Sequence, residues 1–342
     1  MSDESRPLLL RDLGEQGLLE RLHRFCPPQV IGDDAAVIPA PKAGQLLVVT
    51  TDTLVNEVHF SDRTTSPEDV GWRATTANLS DLAAMGASPL GITVGLTLAG
   101  DVAVDWLERL YRGIADCLHQ YDTPLLGGDV CRSPTIAISI TAFGQVSPQR
   151  VLRRSAARVG DAVVVTGVHG ASRAGLELLL HPELEANLTL EERTALIQAH
   201  QRPLPRLDIL PVLWEIVETH PEISARAVAA MDSSDGLADA VCQICRASGV
   251  GAQIEHSKIP LPPGLNHLVP SEQAMDWVLY GGEDFELVLC LPPELAEALV
   301  GQLGQGAAII GAIASGNEVC LTDSIGIHAK QVLTLNRGFQ HF

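Results

Sequence analysis

The sequence predicts a two-domain protein combining α/β and α+β architecture, and three observations lead there. The chain has 342 residues, more than one hydrophobic core usually organises. Strand-like and helical stretches alternate along its length, as expected for sheets covered by helices. Midway, Ser147 to Gly160 breaks the alternation with Pro148 and a basic cluster, Arg150, Arg153, Arg154 and Arg158. The boundary is placed there, giving an amino-terminal domain, 1–148, and a carboxy-terminal domain, 149–342. Hydrophobic residues reach 46% but aromatics only 4%, so both cores must be aliphatic.

The elements follow in order. Gln45 to Thr51 is a β-branched run. Pro67 opens a helix that Gly86 stops, with Pro89 beyond. Leu90 to Leu98 reads as a strand, Val102 to Gln120 as an amphipathic helix, and Thr135 to Val146 as a long alternating strand. The second half restarts with a strand at Asp161 to Thr166 and helices at Gly170 to His181 and Leu190 to His200. Ala227 to Met231 and Phe285 to Leu291 are buried-strand candidates. Gly236 to Ser248 and Pro293 to Leu303 read as helices. Cys242 and Cys245 form a CxxC in the first of these. No second pair or His cluster completes a zinc site, so packed thiols are the expectation.

Charge narrows the function. The 23 basic and 42 acidic side chains leave −19, a surface that repels nucleic acid and anionic membranes. It would repel ATP too, unless cations lie between carboxylates and phosphates. Met1 to Arg11 lacks the apolar core of a signal peptide, and no stretch approaches a membrane span. Seven cysteines without framework spacing suit a reducing cytoplasm, where the chain is expected.

Six acidic clusters carry the chemistry: Gly32-Asp33-Asp34, Thr50-Thr51-Asp52-Thr53, Asn78-Leu79-Ser80-Asp81, Gly127-Gly128-Asp129, Asp232-Ser233-Ser234-Asp235-Gly236 and Gly281-Gly282-Glu283-Asp284. Most end an apolar run or open a helix, which puts carboxylates at the rim of a sheet. Magnesium takes hard oxygen ligands, few of them from protein. Each cluster alone reads first as a turn or a cap, as Asp235 before Gly236 illustrates, and it is six in one chain that shift the balance toward a site. Asp81 is sharper. It shares a small apolar helix face with Ala74, Ala77, Asn78 and Met85, so its carboxylate needs a cation, either an Arg or a metal. No P-loop is present, and the three lysines, Lys42, Lys258 and Lys330, lie outside glycine-rich turns. Positive charge for phosphates must come from metal and arginine, with Arg153 and Arg154 best placed.

Taken together, GDDAAV (Gly32 to Val37), TTDTLVNEVHF (Thr50 to Phe60), ANLSDLAAMGASP (Ala77 to Pro89), LLGGDV (Leu125 to Val130), MDSSDGL (Met231 to Leu237) and YGGEDFEL (Tyr280 to Leu287) resemble thiamine-monophosphate kinase. Gly338 to Phe342 resembles that family's ending. The wider superfamily, with aminoimidazole ribonucleotide synthetase and selenophosphate synthetase, shares only some of these strings.

The resemblance implies an aminoimidazole ribonucleotide synthetase-like fold: an amino-terminal domain whose mixed sheet dimerises, and an α+β carboxy-terminal domain. It implies ATP and several Mg2+ ions in a cleft between them, and thiamine monophosphate as acceptor. Asp33, Thr50, Thr51, Asp52, Asp81, Asp129, Asp232 and Asp235 match metal ligands, with Asp52, Asp129 and Asp232 central to catalysis. Gly128, Asp129, Arg154 and Ser234 match nucleotide contacts, and Tyr111 a residue beside the nucleotide. His59, Glu283 and Phe339 match contacts to thiamine phosphate. The residues alone allow other roles: Tyr111 lies on the core stripe Val104, Leu107, Ile114, Leu118, His59 in a strand, and Phe339 in a tail. Departures fall at Asn56-Glu57, where the family often has Glu-Gly, at Val130-Cys131, and at Ala156. Rival functions are another ATP-using enzyme of the superfamily and a non-catalytic acidic metal-binding protein.

Overall fold

The β-branched run at Gln45 becomes strand β1 (Leu46–Val55), four residues longer at its end than predicted because Thr53, Leu54 and Val55 also favour extended backbone. Asp52 therefore sits inside a strand and not at its end. In this computed structural model, which describes residues 7–30, 35–220, 228–326 and 328–338, two units form. One is Met1–Leu82 with Ser88–Gln145, the other Ala83–Ala87 with Val146–Phe342.

The first unit holds helix α1 (Leu10–His23), β1, helix α2 (Pro67–Ala84), strand β2 (Ser88–Leu98), helix α3 (Val104–Gln120), strand β3 (Leu125–Arg132) and strand β4 (Ala137–Val146). Its four strands form a mixed sheet in the order β1-β4-β2-β3, with β2 parallel to β3 and antiparallel to β4. Alternate residues Ile138, Ile140 and Ala142 of β4 are fully buried, with Ile92, Val94, Leu107, Leu110 and Ile114. The two long helices approach closely at Gly71 and Gly113. A Cβ on Gly113 would overlap the Glu68 carbonyl, and one on Gly71 the Leu110 carbonyl.

The short segment Ala83–Ala87 departs from a plain division at residue 148. Ala83 and Ala84 share an apolar cluster with Leu152, Leu213 and Trp214, and the Leu152 N–H donates to the Met85 carbonyl at 3.2 Å.

The second unit runs through β5 (Ala162–Val165), α4 (Ala171–Leu180), α5 (Leu190–Gln201), α6 (Ile209–Thr219), β6 (Ala229–Asp232), α7 (Leu237–Ser248), β7 (Gly251–Glu255), α8 (Leu265–Leu268), α9 (Ser271–Tyr280), β8 (Leu287–Leu291), α10 (Pro293–Leu303), β9 (Ala308–Ala314), β10 (Val319–Thr322) and β11 (Gln331–Leu333). Its seven-stranded sheet has the order β11-β10-β7-β9-β5-β8-β6. The central strands β5 and β8 are buried at every position, which explains their continuous aliphatic sequences. Cys242, Cys245 and Cys290 are packed thiols in this core, with burial holding all three above the ordinary thiol pKa. Among the described residues, no helix is long and apolar enough to cross a membrane.

Candidate functional site

In the first unit, alternation along β1 sorts the candidate residues between two faces. Thr50 and Asp52 share one face, and Thr51 and Thr53 the other. The Thr50 hydroxyl donates to Asp81 Oδ2, and the Asp52 N–H donates to Asn78 Oδ1 at 3.1 Å. Asn78 is fully buried and its Nδ2 donates to the Ala74 carbonyl at 3.0 Å, one turn back along α2. The helix face picked out by its small residues thus packs onto β1 and joins Thr50, Asp52 and Asp81. Asp81 is only half-buried and meets the Thr50 hydroxyl, so its carboxylate is less costly than a sealed one.

Asp129 stands apart from this group. It pairs with Gly95, Gly95 pairs with Ser139, and Thr53 bonds the Ser139 hydroxyl at 3.0 Å. Asp129 therefore lies on the Thr53 face, three strands from β1 or about 14 Å at ordinary strand spacing. It is exposed and accepts from the Cys131 thiol at 3.3 Å, which holds that thiol above its usual pKa. Gly128 has a packing reason of its own, since a Cβ there would overlap the Val94 carbonyl. Thr51 meets Thr141, hydroxyl to hydroxyl, at 2.8 Å.

Tyr111 is 4% exposed, its ring 5.5 Å from that of Phe25, and burial raises its phenol pKa. His59 lies in the tight turn after β1 and accepts the Val55 N–H on Nδ1 at 3.1 Å, which leaves the ring proton on Nε2. In the same turn Glu57 has φ 64°, a left-handed conformation in which glycine is free of strain. That accounts for the glycine the family often has there.

In the second unit, two acidic motifs are tied together. The Ser233 N–H donates to the Glu286 carbonyl at 2.8 Å, and the Glu283 N–H to the Ser234 carbonyl at 2.7 Å. Asp232 is 2% exposed and accepts from the Ser234 hydroxyl at 3.1 Å. Asp235 is exposed at the start of α7. Gly236 and Gly282 have φ of 108° and 68°, and Glu283 and Phe285 hold 57° and 53°. Two non-glycine residues in this region store strain that the surrounding bonds sustain. Arg154 is exposed beside α7, its Nη1 donating to Gln243 at 2.9 Å.

Asp284 caps α4, accepting the Gly170 N–H at 2.7 Å and the Ser172 N–H at 2.9 Å. The residue as a whole is half-buried, but its carboxylate turns inward onto the helix. Burial pushes its pKa up to about 7, against the pull of those two N–H groups. Behind it Glu286 pairs with Arg206 and accepts the Thr166 hydroxyl at 2.6 Å. Two groups escaped the sequence reading, Ser172 and His200. Ser172 Oγ meets His200 Nδ1 at 3.2 Å, and that nitrogen lies 4.0 Å from Glu283 Oε2. No local motif links them, because the close crossing of α4 and α5 at Gly175 brings them together.

Asp33 and Phe339 lie outside the described residues. Among the described residues, no three His, Cys, Asp or Glu side chains gather as a metal cage. The donors present are nonetheless hard oxygens, carboxylates and hydroxyls in small groups. That fits an ion taking most of its ligands from water and phosphate.

This arrangement, a mixed sheet flanked by acidic motifs followed by an α+β unit, defines the class of AIR synthase related proteins. The family model for their N-terminal domain matches residues 32–146, and the model for their C-terminal domain matches residues 158–324. Over 342 residues the chain is 51% identical to the thiamine-monophosphate kinase of Synechococcus elongatus, covering 100% of this chain and 99% of that one. The crystal structure of thiamine-monophosphate kinase from Stenotrophomonas maltophilia K279a aligns with a TM-score of 0.76 at 33% identity, covering 90% of this chain and 95% of its own. AaThiL complexed with AMPPCP and TMP aligns at 0.70 and 32%, covering 97% and 99%. The chain belongs to the thiamine-monophosphate kinase family.

Proposed function

We propose that the chain transfers the γ-phosphoryl group of ATP to the phosphate of thiamine monophosphate, giving thiamine diphosphate. The observation that carries this reading is the end-to-end match to thiamine-monophosphate kinases. A relative that binds AMPPCP and TMP together supports direct transfer between two bound substrates. The nucleophile is a phosphate oxygen. With a second pKa of about 6 it is already ionised at neutral pH and needs no general base.

The chain's task is therefore alignment and neutralisation. In the first unit Thr50 and Asn78 fix the orientation of Asp81 and the Asp52 backbone, while Asp129 supplies a further carboxylate. In the second unit Ser234 orients Asp232, and Asp235 stands exposed beside it. Arg154 and Gly128 contact the nucleotide, with Tyr111 beside it. His59, Glu283 and Phe339 hold thiamine phosphate. Magnesium at these carboxylates, with Asp33 and the Thr50 and Thr51 oxygens, supplies charge neutralisation for the phosphates. We further assign a cytoplasmic homodimer joined through the outer sheet face, where Leu47 and Val49 are each 53% exposed on the side of Thr51 and Thr53.

The test is a coupled assay of ATP with thiamine monophosphate against free thiamine, on the natural chain and on Asp52→Asn. Turnover is expected with the monophosphate alone. The variant should lose at least about 100-fold in kcat with its melting curve intact. Near-normal turnover in Asp52→Asn would remove Asp52 from the machinery.

A further inference from the structure

The second unit gathers Ser172, His200 and Glu283 from three separate segments: the first turn of α4, the last turn of α5 and the turn before β8. Ser172 and His200 are 1% and 2% exposed, whereas Glu283 keeps 34% of its side-chain surface. The order Ser-His-acid resembles a hydrolytic relay, but the geometry is different. Ser172 Oγ at 3.2 Å and Glu283 Oε2 at 4.0 Å both face the same nitrogen, Nδ1. No proton can pass through the ring from one to the other, and Ser172 is sealed from any substrate.

The arrangement instead gives Glu283 an electrostatic contact on its inner side. A carboxylate at 4.0 Å favours the form of His200 with its proton on Nδ1, and that N–H then donates to Ser172 Oγ, its partial positive charge also attracting Glu283. Ser172 is itself fixed, its backbone N–H donating to Asp284 at 2.9 Å. The ring is packed away from solvent, His200 being 2% exposed where α5 crosses α4 closely at Gly175. On the other side the Glu283 backbone is held at φ 57° by its N–H to Ser234.

We propose that His200 is a positioning residue for the thiamine-phosphate subsite: with Ser172 it sets the direction of the Glu283 carboxylate before substrate arrives. The assignment rests on Glu283 being a substrate contact, and the experiment separates the two. Steady-state constants are measured for Glu283→Gln, His200→Leu, His200→Asn and the double variant Glu283→Gln/His200→Leu, alongside melting curves.

Glu283→Gln should raise KM for thiamine monophosphate. His200→Leu should raise it about fivefold or more, with KM for ATP unchanged. His200→Asn, whose amide nitrogen falls near the Nδ1 position, should restore most of the loss. In the Glu283→Gln background, His200→Leu should add nothing. If the two effects multiply, His200 does not act through Glu283 and the proposal fails. If Glu283→Gln alone leaves KM for thiamine monophosphate unchanged, the reading of Glu283 fails first and the proposal with it. Should His200→Leu not fold, Ser172→Ala reads the same coupling in the same cycle.

Discussion

His169, between β5 and α4, is fully buried, and neither ring nitrogen has a hydrogen-bond partner. Burial lowers its pKa from 6.5 to about 4, outweighing the nearby Gly167 backbone, which favours the charged ring. The sign follows from linkage. The unfolded chain takes up a proton near 6.5 and the folded chain does not until about 4. The contribution to stability is therefore complete above about 6.5, falls as pH drops toward 4, and is constant below that. Across that window it amounts to at most about 3 kcal/mol. Replacing the ring with leucine should flatten this limb. Urea midpoints at pH 7.5 and 4.5 should lie closer together for His169→Leu than for the natural chain, and an unchanged gap would assign the acid sensitivity to other groups.

At the scale of elements, two glycines within helices should respond in opposite ways. Gly113→Ala places a methyl group against the Glu68 carbonyl where α3 crosses α2, and backbone cannot yield as a side chain does. It should cost about 3 kcal/mol or more. Gly301, in α10, has nothing within 4 Å of an added Cβ, so Gly301→Ala should stabilise by about 0.5–1 kcal/mol. Paired melting curves test both. The same crossing explains what could be read in advance. α2 and α3 were legible because caps, Pro67 and a 3.6-residue stripe are local signals, and β5 and β8 because unbroken aliphatic runs mark buried strands. α6 was not, although its buried Ile209, Leu213, Ile216 and Val217 follow a helical spacing, because Pro211 in its first turn reads as a break. Neither were α1, α9 or the strands β7, β9, β10 and β11. β3 was seen only as a Gly-Gly-Asp turn, although Gly128 serves the close approach of β3 to Val94 of β2. The site divides likewise. Its acidic strings were visible from sequence spacing. The separation of Asp129 from Asp52 across the sheet, and the meeting of Ser172 with His200, depend on register and helix crossing, which sequence spacing does not specify.

At the scale of the whole molecule, the −19 charge sets the terms on which ATP can bind. Four phosphate charges approach a surface that already repels anions, and the three lysines offer no phosphate cradle. Arg154 is one exposed guanidinium, and the other arginines at the domain junction are too few to reverse the field. Within each unit the acidic motifs, Asp52 and Asp129 in the first and Asp232 and Asp235 in the second, add repulsion unless cations bridge them to the nucleotide. Binding of nucleotide and of divalent ion should therefore be strongly coupled, each raising the affinity for the other by the same factor. Calorimetric titration with AMPPCP should give a clear isotherm in millimolar magnesium and none in EDTA. Titration with magnesium alone should be weak, since among the described residues the carboxylates are dispersed in small groups and no three converge. Adding 0.5 M sodium chloride without magnesium should not restore nucleotide binding, because screening weakens long-range repulsion but supplies no bridging ligand. Tight AMPPCP binding in EDTA would show that arginine and backbone N–H groups suffice, and would remove the need for metal that the acidic motifs imply.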